Sequence, residues 1–324
     1  MIDLTAARIR LRLEALEPIR LPEYQGSTFR GAFGTVFRRL CCAQRQAVEC
    51  EECLLRMNCP FSLIFTPRIA VAVEYGRGMG EQPRPFVLEP PANRRTEYTP
   101  GEEIVLHLVL IGKALEYLAY FILTLHEMGG TGLGMKRGRF RFVRAEALTA
   151  EGEPCAVISD GITMTGAARP ITSNDLLQST PGGDGDRFAI DFETMTRLKS
   201  DGAYAGKPLF PILVRTLLRR LTALQYYYGD GARPDLDYQS IIEAAGAVRL
   251  VKDDTRWRDW ERYSKRQDRR MTLGGIVGRA EYEGSWGEFA ELIRWGELAH
   301  VGKGATFGLG KYRMRSSVET VEPA

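Results

Sequence analysis

The sequence predicts an α+β protein of two tandem ferredoxin-like domains with a small Cys-rich insertion. Three observations predict it. The second half of the chain echoes the first. Each half runs strand, helix, strand, strand, helix, strand. Five of the six cysteines crowd between Cys41 and Cys59.

The echo is carried by two segments. LTLHEMGGTGLGMKRGRFRFV runs from Leu123 to Val143, and IRWGELAHVGKGATFGLGKYRM from Ile293 to Met314. Each passes from an amphipathic helix through a glycine-rich loop into a basic alternating strand. Gly132-Leu133-Gly134 recurs as Gly308-Leu309-Gly310, an offset of 176 residues. That is too long for a solenoid repeat and right for a duplicated domain.

In the first half, Ala7–Leu13 alternates as a strand, and Phe29, Phe33, Val36, Phe37 and Leu40 fall at helical spacing. Glu103–Leu110 is a second strand. Leu115, Leu118, Ile122 and Leu125 mark a helix, and Gly138–Val143 closes the set. Weaker strand signals lie at Ile69–Glu74 and Pro85–Leu88. In the second half, Phe188–Phe192 reads as a strand and Leu209–Tyr228 as a long helix. Val248 to Tyr282 reads as a hairpin, Gly284–Ala299 as a helix and Tyr312–Ser316 as the last strand. This order is the split βαβ unit. The first domain is expected over 1–165, with a metal knuckle at about 41–59. The second is expected over 187–324, with a glycine-rich loop at 302–310. Thr165–Asp186, with Pro170 and Pro181, reads as the linker.

Composition fits a globular chain, with 44% hydrophobic and 26% charged residues. No apolar run approaches the roughly 20 residues of a membrane helix. The start, MIDLTAARIRLRLEAL, lacks the apolar stretch of a signal peptide. A cytoplasmic protein without a membrane partner is expected. In that compartment clustered cysteines point to metal rather than disulfides. Cys50-x-x-Cys53 and Cys59, with Cys41 or Cys42 as the fourth ligand, fit a structural zinc site, with an iron–sulfur cluster as the alternative.

The net charge is only +3, so the distribution of charge matters more than its sum. The glycine loops are not nucleotide-binding loops. Those run strand, loop, helix and place phosphate on a helix N-terminus, whereas here the order is helix, loop, strand. An anion would have to be held by loop N–H groups at Gly302, Gly304, Gly308 and Gly310, and by Lys303 and Lys311. In the first half Lys136, Arg137 and Arg139 play the same part. The competing reading is a pair of tight turns needing positive φ. From Arg256 to Arg270 seven basic residues meet three acids, with Trp257, Trp260 and Tyr263 interleaved. Arg256, Arg258, Arg262, Lys265, Arg266 and Arg269 are candidate phosphate contacts, and the aromatics candidate base contacts. Arg8, Arg10 and Arg12 share one sheet face, where they need either an anion or neighbouring acids.

The string HVGKGATFGLGKYRM, preceded by a helix with Trp295, resembles the C-terminal signature of CRISPR precursor-RNA-processing endoribonucleases of the RAMP superfamily. Gly274-Gly275-Ile276-Val277-Gly278 fits the same family. The resemblance is strong over Trp260–Arg315 and in register, though weaker, over the first half. It implies RRM-like RAMP domains with RNA bound in and around the cleft, and cleavage of repeat RNA without metal, giving 5′-hydroxyl and 2′,3′-cyclic phosphate ends. The cysteine cluster marks a subgroup. CRISPR repeat RNA is then the partner, with further effector subunits as additional partners and no small-molecule cofactor. The alternative within the superfamily is a non-catalytic subunit that holds guide RNA.

Metal-free cleavage needs a proton acceptor for the ribose 2′-hydroxyl, a donor for the leaving 5′-oxygen and a cation for the phosphorane. His300 beside Lys303 is the leading candidate, with His126 in the counterpart place. His107 sits in an apolar strand and reads as structural. Many active members carry the catalytic histidine in or just after the first helix, but Gly26–Ser62 contains none. In that neighbourhood Arg30 is expected to bind the scissile phosphate and Tyr24 to orient the ribose. No carboxylate cluster of the two-metal nuclease kind is present in the sequence.

Overall fold

A computed structural model describes residues 2–44, 49–67, 82–180, 186–200, 202–232, 234–264 and 269–316. The strand expected at Ile69–Glu74, together with Lys265 and Arg266, lies outside the described residues, as do the side chains of Arg262 and Arg269. The chain divides into two compact units. One holds Leu4–Thr172 and Ala223–Ala232; the other holds Met1–Asp3, Ser173–Thr222 and Arg233–Ala324.

The first unit is built on β1 (Ala6–Ala15), β2 (Ile19–Arg20), α1 (Gly26–Cys41), β3 (Phe86–Glu89), β4 (Glu97–Tyr98), β5 (Glu103–Ile111), α2 (Leu118–Thr131), β6 (Phe140–Leu148), β7 (Pro154–Asp160) and β8 (Thr163–Met164). Its main sheet has the order β3-β5-β1-β6-β7-β8. The second unit holds α3 (Ser173–Gln178), β9 (Arg187–Thr196), β10 (Lys199–Ser200), β11 (Ala203–Tyr204) and most of α4 (Phe210–Tyr228). It continues with α5 (Tyr238–Ala245), β12 (Arg249–Arg258), β13 (Glu261–Ser264), β14 (Arg269–Thr272), β15 (Gly275–Glu283), α6 (Ala290–Ala299) and β16 (Tyr312–Ser316). Its sheet has the order β12-β15-β9-β16.

In both units the first strand lies between the third and the fourth, and the second strand flanks the third. All these pairings are antiparallel. This is the ferredoxin-like order, and it occurs twice. Alternation builds each sheet. In β1, Ile9, Leu11 and Leu13 are fully buried, while Arg8, Arg10 and Arg12 take the opposite face. There Arg8 meets Glu89 at 3.5 Å, Arg10 meets Glu146 at 3.9 Å, and Arg12 meets Glu103 at 2.9 Å and Glu146 at 2.8 Å. The Arg12 pKa is raised by hydrogen bonds to Glu146 and then Glu103. The three arginines are balanced by acids on neighbouring strands.

The first core is aromatic. Phe29, Phe33 and Phe37 recur every fourth residue on α1, so they lie on one face. Phe33 and Phe37 pack against Phe121 of α2, with centroids 5.1 and 5.5 Å away. A short π-helical turn, Phe61–Phe65, adds Phe61 and Phe65 to the same cluster. The second core joins Phe188, Phe210, Tyr282 and Phe289, and the Tyr282 hydroxyl donates to the Pro208 carbonyl at 2.6 Å. Part of the stretch read as a linker is helical. In α3, Ser173 accepts from the buried Trp295 indole at 2.9 Å, and Ser179, just beyond α3, accepts from Arg294 at 2.8 Å. Among the described residues no helix is long and apolar enough to cross a membrane.

The echo is real in the fold, but its register differs from the one the repeated Gly-Leu-Gly predicts. After α2, Gly132 has φ 79° and ψ 165°; after α6, the residue with φ 59° and ψ 163° is His300. Leu133 and Val301 follow, both buried. Leu133 exchanges backbone hydrogen bonds with Gly138, and the Val301 amide donates to Gly310. Next come Gly134 (φ 73°) and Gly302 (φ 80°). A Cβ at Gly134 would overlap the Arg20 carbonyl, and one at Gly302 the Arg197 carbonyl. The counterpart of Gly132 is therefore His300. The second loop is longer because a 3-10 turn, Ala305–Phe307, is inserted before Gly308 and Gly310.

His300 is fully buried, and its Nδ1 lies 3.0 Å from the Leu309 carbonyl. This backbone region costs a non-glycine residue roughly 1–3 kcal/mol, which the buried ring contact offsets. The expectation that His300 is catalytic does not fit this place, since the ring has no solvent face from which to reach a substrate. Gly308 and Gly310 are buried as well, so they serve the turn rather than a ligand. A consequence is measurable. His300→Ala keeps the unfavourable φ and loses the ring, so it should lower the urea midpoint more than His300→Gly, the reverse of the usual Ala–Gly order. Equal midpoints for His300→Ala and the native chain would refute this account of the turn.

Candidate nucleic-acid interface

The loops place their charges at the tips. In the first unit Met135, Lys136 and Arg137 project beyond Gly134; Met135 is 92% exposed, and Arg137 has φ 51°. In the second, Lys303 is exposed between Gly302 and Gly304, which are half-buried. No described acid forms an ion pair with Lys136, Arg137 or Lys303. Two other candidate cations, Arg139 and Lys311, are paired with acids, as is the neighbouring Arg313. Arg139 pairs with Glu17 at 2.7 Å, and Lys311 and Arg313 share Glu193 at 3.5 and 3.7 Å. The Glu17 pKa is lowered by hydrogen bonds from the Arg139 backbone and side chain. Lys311 thus departs from its expected free role, because β16 and β9 bring Glu193 beside it.

The β12 strand carries Arg256 and Trp257 exposed and Arg258 half-buried. The Trp257 indole N–H donates to Asp259 at 2.8 Å, leaving the ring half open with Tyr204 beside it at 6.2 Å between centroids. Tyr204 belongs to the β10–β11 hairpin. Arg197 lies 5.5 Å and Lys199 5.9 Å from its ring centre, both within cation–π range. The Arg197 carbonyl is the group that packs against Gly302, so this aromatic and cationic group adjoins the Lys303 loop. Sequence reasoning missed Arg197, Lys199 and Tyr204. The two-residue strands that carry them are too short for periodicity to register, although Arg-x-Lys before a tyrosine was a readable signal.

Near α1, the Arg30 guanidinium lies 4.1 Å from the Phe65 ring centre. The Tyr24 phenol is pushed up, first by burial and then by the Glu89 carboxylate, so it keeps its proton at neutral pH and acts as a donor. His107 is half-buried and lies across from Arg10 and Glu89 in the sheet. His126 is exposed on α2.

Four of the six cysteines share a pocket. Cys42, Cys50, Cys53 and Cys59 line one pocket, with Arg38 and Arg56. Cys41 packs against the aromatic core, where burial and then Cys59 and Cys42 push its thiol up to about 12. Among the described residues no three Cys, His, Asp or Glu side chains already stand close enough to hold a metal ion.

Comparison with known proteins agrees with the fold. Residues 4–171 match the family model AF_1859_N, an N-terminal domain. Residues 190–312 match the model of the CRISPR-associated endoribonuclease Cas6. An uncharacterized protein of Archaeoglobus fulgidus is 26% identical, over 97% of this chain and 99% of its own length. Among solved structures, a Cas6 product complex shares 18% identity at a TM-score of 0.57, covering 95% of this chain and 99% of the other. A Thermus thermophilus Cas6 shares 15% at a TM-score of 0.54, covering 96% and 98%. The AF_1859_N model spans half of the chain, which belongs to that family, and the C-terminal part is similar to the CRISPR-associated endoribonuclease Cas6.

Proposed function

We propose that this protein cuts precursor CRISPR RNA within its repeats without a divalent metal, leaving 5′-hydroxyl and 2′,3′-cyclic phosphate ends. The observation that carries the reading is the pair of counterpart loop tips, where Lys136, Arg137 and Lys303 are exposed and free of described acids. A cation balanced by a carboxylate has little left for a phosphate, whereas these three retain their full attraction.

In the proposed reaction the ribose 2′-oxygen attacks the adjacent phosphorus. The 2′-hydroxyl proton is lost, the P–O5′ bond breaks, and the 5′-oxygen takes up a proton. Lys303 stabilises the charge that grows on the phosphorane. In the first unit the Tyr24 hydroxyl, protonated at neutral pH, and Arg30 contact the RNA backbone. His300 has no part in this chemistry. The half-open Tyr204 and Trp257 rings stack on unpaired bases, held by Arg197 and Lys199.

Two measurements test this. Incubating the full chain with repeat RNA in EDTA should give products whose downstream fragment is labelled by polynucleotide kinase without prior phosphatase. Mass spectrometry should find a cyclic phosphate on the upstream one. RNA left intact beside a cleaved control would overturn the cutting; tight binding without cleavage would then favour the guide-RNA-holding alternative. Replacing Lys136, Arg137 and Lys303 together by Ala should reduce the slope of log affinity against log salt by about 2, taking about 0.7 per phosphate contact on single strands. Tyr204→Ala and Trp257→Ala should each weaken binding by about 1–3 kcal/mol with the slope unchanged. A slope that does not respond to the triple substitution would place the RNA elsewhere.

A further inference from the structure

The RNA reading leaves the cysteine pocket unused. Its four thiols come from three different pieces of local structure. Cys42 caps α1, with its amide donating to Arg38 at 2.9 Å. Cys50 and Cys53 bracket a turn in which the Cys53 amide reaches the Cys50 carbonyl at 3.4 Å. Cys59 leads into the Phe61–Phe65 turn, its carbonyl accepting from Leu63 at 3.0 Å. All four sulfur-bearing residues nonetheless line one pocket. Spacing alone left Cys41 and Cys42 equivalent; of the two, Cys42 is the one that lines the pocket.

We propose that Cys42, Cys50, Cys53 and Cys59 bind one zinc ion as four thiolates, fastening the segment that carries them to the end of α1. The thiols line the pocket without yet converging, so the ion draws them together. Three arguments support zinc. The Cys-x-x-Cys turn lets two sulfurs reach one ion, and a closed four-thiolate set is its usual structural environment. The remaining gaps, seven residues before Cys50 and five after Cys53, match neither of the ferredoxin cluster spacings. Zinc with four thiolates carries a charge of about −2, and two permanently charged guanidiniums, Arg38 and Arg56, line the same pocket.

Four thiolates leave no position open for substrate, so the ion is structural. It also acts where the fold has an evident need. Cys59 and Cys50 pack against the core beside Phe61 and Phe65. A clamp there holds the π-helical turn onto Phe33 and Phe37. Metal affinity then appears as folding stability of this segment.

The test uses the full chain under reductant. Cobalt(II) titrated into metal-stripped protein should give the sulfur-to-metal charge-transfer and tetrahedral d–d bands of a tetrathiolate. They should saturate at one equivalent and be displaced by zinc. Cys42→Ser, Cys50→Ser and Cys53→Ser should lose these bands, while Cys41→Ser and Cys155→Ser keep them. Because a ligand variant can fail to fold, a second measurement uses the native sequence. With zinc bound, iodoacetamide should label Cys155 and spare Cys42, Cys50, Cys53 and Cys59; a chelator should then expose these four. No saturable cobalt spectrum, iron with sulfide in place of zinc, loss of the bands in Cys41→Ser rather than Cys42→Ser, or alkylation of the four unaffected by zinc would each overturn the proposal.

Discussion

Each half of this protein depends on one backbone reversal. A helix ends on a residue with positive φ, and the chain turns so that the next side chain, Leu133 or Val301, is buried. A glycine then passes tightly against a carbonyl just beyond the first strand of that half, at Arg20 or Arg197. Without the reversal the strand that follows, β6 or β16, could not pair with the first strand, β1 or β9. The reversal also fixes the loop tip on the outside, since burial of the following side chain forces the next residues outward. Fold and charge presentation therefore follow from the same few dihedral angles.

The architecture was legible because its signals are local and repeated. Alternation in β1 and β5 and the phenylalanine spacing on α1 named the first half, and α4, β15 and α6 named the second. What escaped had no period to reveal it. The two-residue strands β10 and β11 are visible only through their pairing, and α3 hid in a stretch marked by prolines. The register of the internal repeat was misread for a physical reason. Gly132 and His300 hold the same backbone conformation with different side chains, while the identical Gly-Leu-Gly strings occupy different places in the two turns. Sequence identity followed composition, whereas the fold followed φ.

The basic faces were legible as composition but not as pairing. A row of three arginines on β1 resembles a phosphate surface until the register places Glu103, Glu146 and Glu89 beside it. Those acids lie far off in sequence, so only strand pairing exposes the cancellation. Lys311 and Arg313 meet the same outcome through Glu193. His300 looked poised for chemistry because it adjoins Lys303, yet adjacency in sequence separated a buried residue from an exposed one.

A net charge of +3 is a poor guide to how such a chain would hold a polyanion. The β1 face that carries three arginines also meets glutamates, which balance its charge. Lys136, Arg137 and Lys303, by contrast, sit at the tips of turns held by glycines and a strained histidine. A rigid tip gives a lysine a defined starting point and lowers the entropy lost when it meets a ligand. In the proposed function, few contacts from fixed positions, joined to stacking on Tyr204 and Trp257, would read the shape of an RNA better than a diffuse basic surface would. In the proposed reading, grip comes from a few placed cations on constrained tips, while the arginine row of β1 is balanced by glutamates.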